Sequence, residues 1–137
     1  MPGEPHVSKI RIVLADDHRE IVSIVRSTLG DDFEIVAAVE DGSLALDAVL
    51  AMDPDVLITD ISMPVMDGLQ LAGQLKKLHC RTKIIVLTMH QDSYFVAAAL
   101  SLGVSAYVTK TLMSSDLIFA IEDALKGNTF ISGSKPH

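Results

Sequence analysis

The chain has a single cysteine, Cys80, and no tryptophan. One thiol cannot close an internal disulfide, so no covalent staple holds this fold, and the residue reads as one from a reducing compartment. Aromatics are scarce, four Phe and two Tyr, so any core must be filled by Val, Ile, Leu, Ala and Met. Cations are also in deficit: 11 Lys and Arg stand against 18 Asp and Glu, a net charge of −7. Gripping nucleic acid takes clustered cations that displace phosphate counterions, so direct nucleic-acid binding by this chain is not expected. No apolar run approaches the roughly 20 residues of a membrane-spanning helix. The N-terminal residues 1–9 lack the apolar stretch of a signal peptide, and a cytoplasmic domain without membrane contact is expected.

What is present is apolar residues, 49% of 137, enough to bury one core in one domain. Residues 1–8, with two prolines and a glycine, read as a flexible tail; 9–127 read as the domain; 128–137 read as a linker or tail. Between the tails, short β-branched runs at 10–15, 33–38, 56–59, 84–88 and 106–109 are mostly apolar throughout, the pattern of strands covered on both faces. Helical spacing fills the intervals. The stripes are Ile21, Ile24, Val25 and Leu29; Leu44, Ala48, Val49 and Met52; Leu69, Leu71, Ala72, Leu75 and Leu78; Val96, Ala99 and Leu100; and Leu117, Ile118, Ile121 and Leu125, the last from about Ser115. Asp41 and Ser93 are candidate N-caps, Gly30, Gly103 and Gly127 are stop signals, and Pro54 lies beyond the second helix. Fivefold strand–helix alternation predicts an α/β fold, a doubly wound parallel sheet with helices on both faces. Such sheets carry their chemistry at the carboxyl ends of the strands.

Those ends are polar here. Asp16 and Asp17 close the first strand, Asp60 the third, Thr88 the fourth, and Thr109 and Lys110 the fifth. Three converging carboxylates repel one another, and a hard divalent cation resolves the conflict. Mg2+ suits such a site because it binds through one or two carboxylates and keeps several waters. Asp17 and Asp60 are expected as direct ligands, with the backbone carbonyl of Ser62, and Asp16 through water. A carboxylate beside a cation, an ammonium and a hydroxyl also has what phosphoryl transfer requires, so Asp60 is a candidate nucleophile, Lys110 its phosphoryl partner and Thr88 a hydrogen-bond donor. Taken singly, each residue has an ordinary role: a helix cap, a turn acid, a strand hydroxyl, a solvated lysine. The coincidence of all of them at strand ends is what points to chemistry.

The strings LADDH, D-x-x-M-P-x-M-D-G from Asp60 to Gly68, LTMH around Thr88 and GVSAYVTK ending at Lys110 resemble the receiver domain of bacterial response regulators over residues 9–127. The intervals of 43, 28 and 22 positions between Asp17, Asp60, Thr88 and Lys110 agree with that pattern. The resemblance implies a flavodoxin-like five-stranded sheet of order 2-1-3-4-5 with five helices. It implies a signalling domain rather than an enzyme, phosphorylated on Asp60 by a sensor histidine kinase with Mg2+, and a homodimer that forms on phosphorylation. It also implies a conformational switch in which Thr88 moves toward the phosphoryl group and Tyr107 turns between exposed and buried positions. LADDH, LTMH, Thr111 in place of a proline after Lys110, and GNTFIS look like the NarL/FixJ subfamily, whose members usually continue into a helix-turn-helix output domain for transcription.

Other residues lean to ordinary roles. His18 and His90 read as surface polar residues, His79 and Cys80 as helix-end residues, and Met63 and Met66 as loop packing. Met89 is a large residue beside Thr88 that would narrow access to Asp60, and Ser62 is placed to tune hydrolysis. Two other classes of function are weighed. An aspartyl-nucleophile phosphatase of the haloacid dehalogenase type needs a second acid two positions after the nucleophile, where this chain has Ser62. A dinucleotide-binding module needs a glycine-rich turn after the first strand, and none follows Ala15.

Overall fold

The computed structural model describes residues 8–89 and 93–133, with nothing said of the Ser93 side chain. The strands are β1 (Ile10–Ala15), β2 (Phe33–Val39), β3 (Val56–Asp60), β4 (Lys83–Thr88), β5 (Ala106–Thr109) and β6 (Phe130–Ile131). The helices are α1 (Arg19–Thr28), α2 (Gly42–Met52), α3 (Gly68–Lys77), α4 (Ser93–Ser101) and α5 (Met113–Leu125), with a 3-10 turn at Lys110–Leu112 before α5. The sheet is parallel throughout, in the order β2-β1-β3-β4-β5-β6. The flavodoxin-like arrangement is therefore present, with one strand more than expected. Phe130 and Ile131, in a segment read as linker or tail, pair with Ala106 and Tyr107 of β5. Two residues are too short to leave a periodic signature, and their pairing depends on an edge strand supplied from elsewhere in the chain.

Because strand side chains alternate faces, the sheet separates two cores. Ile12, Leu14, Ile58, Leu87 and Val108 pack against α1 and α5, while Val13, Ala15, Leu57, Val86 and Tyr107 pack against α2, α3 and α4. Near-continuous apolarity in the strands is thus the consequence of helices on both sides.

The helical stripes are right in kind and partly wrong in phase. In α1 the side chains on the core are Ile21, Val22, Val25 and Leu29, and Ile24 is exposed. In α2 the buried positions are Gly42, Ala45 and Val49, whereas Leu44 and Met52 face solvent. Leu78, Leu100 and Leu125, at helix ends, are also exposed. An apolar-rich helix such as α2 offers several faces of similar hydrophobicity, and the close approach of Gly42 to Met66 decides which one turns inward: a Cβ on Gly42 would lie 2.0 Å from the Met66 carbonyl oxygen. Asp41 does cap α2, its Oδ1 accepting from the Leu44 N–H at 2.9 Å. Gly103 and Gly127 take φ of +84°, the left-handed conformation that ends α4 and α5. The expectations about His90, about Ser93 as a cap and about most of the two tails lie outside the described residues.

Candidate functional site

The chain passes from β1 to β2 on one side and then returns to place β3 on the other side of β1. A crevice opens where connections diverge in this way. Asp16 and Asp17 follow β1 on one wall, and Asp60 ends β3 on the other. β4 lies beside β3 with Asp60 opposite Leu87, so Thr88 stands one step beyond it; Thr88 in turn lies opposite Thr109 of β5. Lys110 follows directly. The register therefore brings the expected residues of four strands to one edge of the sheet.

Asp16, Asp60, Thr88, Thr109 and Lys110 are buried there. The Lys110 Nζ sits 3.1 Å from Asp16 Oδ2 and 3.1 Å from Asp60 Oδ2, a cation shared by two carboxylates. Its contact with Asp60 is a hydrogen bond, while that with Asp16 is an ion pair without hydrogen-bond alignment. Asp60 Oδ1 accepts the Ser62 N–H, at 3.3 Å. Burial pushes the Asp60 carboxyl above the ordinary range; Lys110 opposes this, the Asp16 charge adds to it, and the Ser62 N–H lowers it. One ammonium thus leaves three neighbouring acids incompletely balanced.

Among the described residues, oxygens of Asp16, Asp17 and Asp60 and one ring nitrogen of His18 lie within 4.8 Å of one another and could hold a metal ion. The oxygens suit a hard cation such as Mg2+. An open cleft of about 520 Å³ adjoins them, lined by Asp17, Ser62, Met63, Pro64, Asp67 and Phe95 among others. The Ser62 side chain is exposed, as is Met89 beyond Thr88. Tyr107 is 1% exposed, so its ring is in the buried position. No cis peptide bond occurs among the described residues, which makes the Lys110–Thr111 bond trans.

The loop that carries Asp60 into α3 is tied at several points. The Met66 N–H donates to the Pro64 carbonyl at 2.8 Å, a three-residue turn that forces Val65 to φ +68°. Asp67 caps α3 through the Gln70 N–H at 2.8 Å, and the Gln70 side chain accepts the Asp67 N–H at 2.9 Å. Gly68 donates to the Ile61 carbonyl at 2.7 Å, and a Cβ there would lie 2.2 Å from the Asp60 carbonyl oxygen.

The residue the sequence reading underrated is His18. It was expected at the surface, and its side chain is 54% exposed, yet its Nδ1 lies 3.0 Å from Asp16 Oδ1, 3.2 Å from Asp17 Oδ1 and 3.7 Å from Asp60 Oδ2. The available signal was position: His18 immediately follows two acids and occupies the N-cap of α1, where a Ser, Thr, Asp or Asn is favoured.

Comparison with known proteins identifies the family to which the fold is similar. A family profile described as the response regulator receiver domain matches residues 12–122. The transcriptional regulatory protein DegU of Brevibacillus brevis is 33% identical over 139 residues, covering 100% of this chain and 59% of that protein. The signal receiver domain of the putative response regulator NarL from Mycobacterium tuberculosis superposes with a TM-score of 0.82 at 30% identity, covering 88% of this chain and 99% of that one. The non-phosphorylated receiver domain of the stress response regulator RcsB from Escherichia coli gives a TM-score of 0.83 at 30% identity, covering 90% and 98%. The chain spans about three-fifths of the length of the curated relatives it matches.

Proposed function

The chain belongs to the response regulator receiver domain family, in its NarL/FixJ branch, and from that premise we propose that Asp60 accepts a phosphoryl group from the phosphohistidine of a sensor histidine kinase. The observation that carries the proposal is Lys110 Nζ at 3.1 Å from both Asp16 and Asp60 at the edge of the sheet.

Asp60 Oδ2 is held by Lys110, which leaves Oδ1 as the attacking atom. Its lone pair forms the P–O bond as the P–N bond to the kinase imidazole breaks, and the imidazole nitrogen keeps that electron pair. The product is an acyl phosphate on Asp60. Asp17 and Asp60, with the Ser62 carbonyl, would hold Mg2+, and Asp16 would do so through water. When bound, the ion supplies positive charge against the phosphoryl oxygens. Lys110 supplies the protein's own charge to the same group, and its place directly after β5 couples that group to the rest of the sheet edge.

Phosphorylation then pulls the Thr88 hydroxyl toward the new acceptor oxygens, and Tyr107 on β5 responds by changing its packing. The unit that does this is residues 9–127, acting in the cytoplasm as a signalling domain. Its readout is self-association and control of transcription through a helix-turn-helix domain joined to the receiver.

Incubation with Mg2+ and acetyl phosphate should give a single phosphoryl adduct by intact mass, absent in Asp60→Ala. An adduct that persists in Asp60→Ala would reassign the acceptor. Sustained turnover of a chromogenic phosphate ester would favour the phosphatase reading instead.

A further inference from the structure

His18 stands where a helix cap belongs and does not cap: as N-cap of α1 it makes no side-chain hydrogen bond to the first turn. Its backbone N–H instead donates to Asp16 Oδ1 at 2.8 Å, which folds the residue back over the acids. The ring follows, so that Nδ1 faces oxygens of all three carboxylates. An octahedral cation about 2.1 Å from its ligands holds adjacent ligands roughly 3 Å apart. The separations of 3.0 Å from Nδ1 to Asp16, here a hydrogen bond, and 3.2 Å to Asp17 match the edges of such a polyhedron, and 3.7 Å to Asp60 matches a slightly opened one.

We infer that His18 is a ligand of the site's cation through Nδ1, and that it makes the site one of mixed nitrogen and oxygen donors that prefers first-row transition ions to Mg2+. This rests on the metal site proposed above. Imidazole is a good donor to ions such as Ni2+ and a poor one to Mg2+, whereas carboxylates serve both. The three acids therefore set the affinity for any divalent cation, and His18 sets the discrimination among them. The half-exposed ring is free to leave when Mg2+ binds through oxygen and water alone, so the same site accepts both ions with different shells.

Calorimetry of the intact chain with Ni2+ and with Mg2+ separates these roles. In the parent, Ni2+ binds more tightly than Mg2+. His18→Ala should lower Ni2+ affinity by at least the roughly tenfold that even outer-shell partners contribute, while Mg2+ affinity stays level or rises. His18→Gln, a second variant of similar bulk, should do the same. Pulsed electron paramagnetic resonance of bound Mn2+ should show modulation from a directly bound nitrogen that disappears in His18→Ala. Nitrogen modulation that survives that substitution, or an equal loss of Ni2+ and Mg2+ affinity, overturns the inference. Asp17→Asn reads the underlying site: if it abolishes Mg2+ binding while His18→Ala leaves the Ni2+ to Mg2+ ratio unchanged, the site stands and the His18 role falls. A parent that binds neither ion overturns both.

Discussion

At the scale of single residues, Asp60 shows how a buried carboxylate is held at the expense of the fold. Asp60 is 4% exposed and its carboxyl shares one ammonium with Asp16. With its folded pKa raised by burial and by Asp16, the folded state holds the Asp60 proton more tightly than the unfolded chain does. The stability from that preference is fully present below the unfolded value near 4 and is lost as pH rises through the folded value. At neutral pH the ionised carboxylate therefore costs stability. In buffer free of divalent cations, Asp60→Asn should melt above the parent at pH 7, and the gap should close as pH falls toward 4. A gap that is flat across that range, or of opposite sign, would show that Lys110 fully compensates the charge. These residues were legible in the sequence because each ends its own strand. The orientation of His18 was not, since it depends on how the Asp16–His18 turn closes.

At the scale of elements, the segment from Asp60 to Gly68 is the part of the pattern whose physical reasons appear only in three dimensions. Its string of residues was readable, but why each type is needed was not. Gly68 is required because a Cβ would meet the Asp60 carbonyl oxygen at 2.2 Å, so the start of α3 presses against the end of β3. Gly68→Ala should cost about 1–3 kcal/mol by overpacking and slow phosphorylation by shifting Asp60. Asp67→Ala, which removes the cap of α3 and a carboxylate of the cleft lining but not the contact with Asp60, should cost about 1 kcal/mol and leave the phosphorylation rate closer to that of the parent. Chemical denaturation with phosphorylation by acetyl phosphate distinguishes them, and equal effects on rate would mean that the cap, and not the contact, positions Asp60. Val65 is the reverse case. It is 81% exposed and held at φ +68°, a conformation that costs a β-branched side chain roughly 1–2 kcal/mol. Val65→Gly should therefore stabilise the fold by about 0.5–1 kcal/mol once the greater freedom of unfolded glycine is subtracted. A denaturation midpoint equal to or below that of the parent would mean that Val65 contributes contacts that outweigh its strain.

At the scale of the whole molecule, alternation of apolar runs and amphipathic stretches was enough to read a doubly wound parallel sheet, because each strand buried between two helical layers must be apolar on both faces. The two cores on opposite sides of the sheet fulfil that expectation. The inward face of α2 and the pairing of β6 were not readable, since both are settled by contacts between distant segments. The site lies outside both cores at the strand ends, and the stability they supply is what holds three acids together. A ligand that binds only the folded state returns stability by mass action, about 2.7 kcal/mol at a hundredfold excess over its Kd. Mg2+ should accordingly raise the melting temperature of the parent by several degrees, with a rise that grows with the logarithm of its concentration above its Kd. The net charge of −7 means that any salt will screen self-repulsion as well, so the comparison is made at constant ionic strength. Under that condition the rise should vanish in Asp17→Asn, whose substituted side chain is partly exposed and outside either core. An undiminished rise in that variant would place the stabilising ion elsewhere on the acidic surface. The coupling of the strand-end acids to the stability of the sheet would then have to be carried by Lys110 alone.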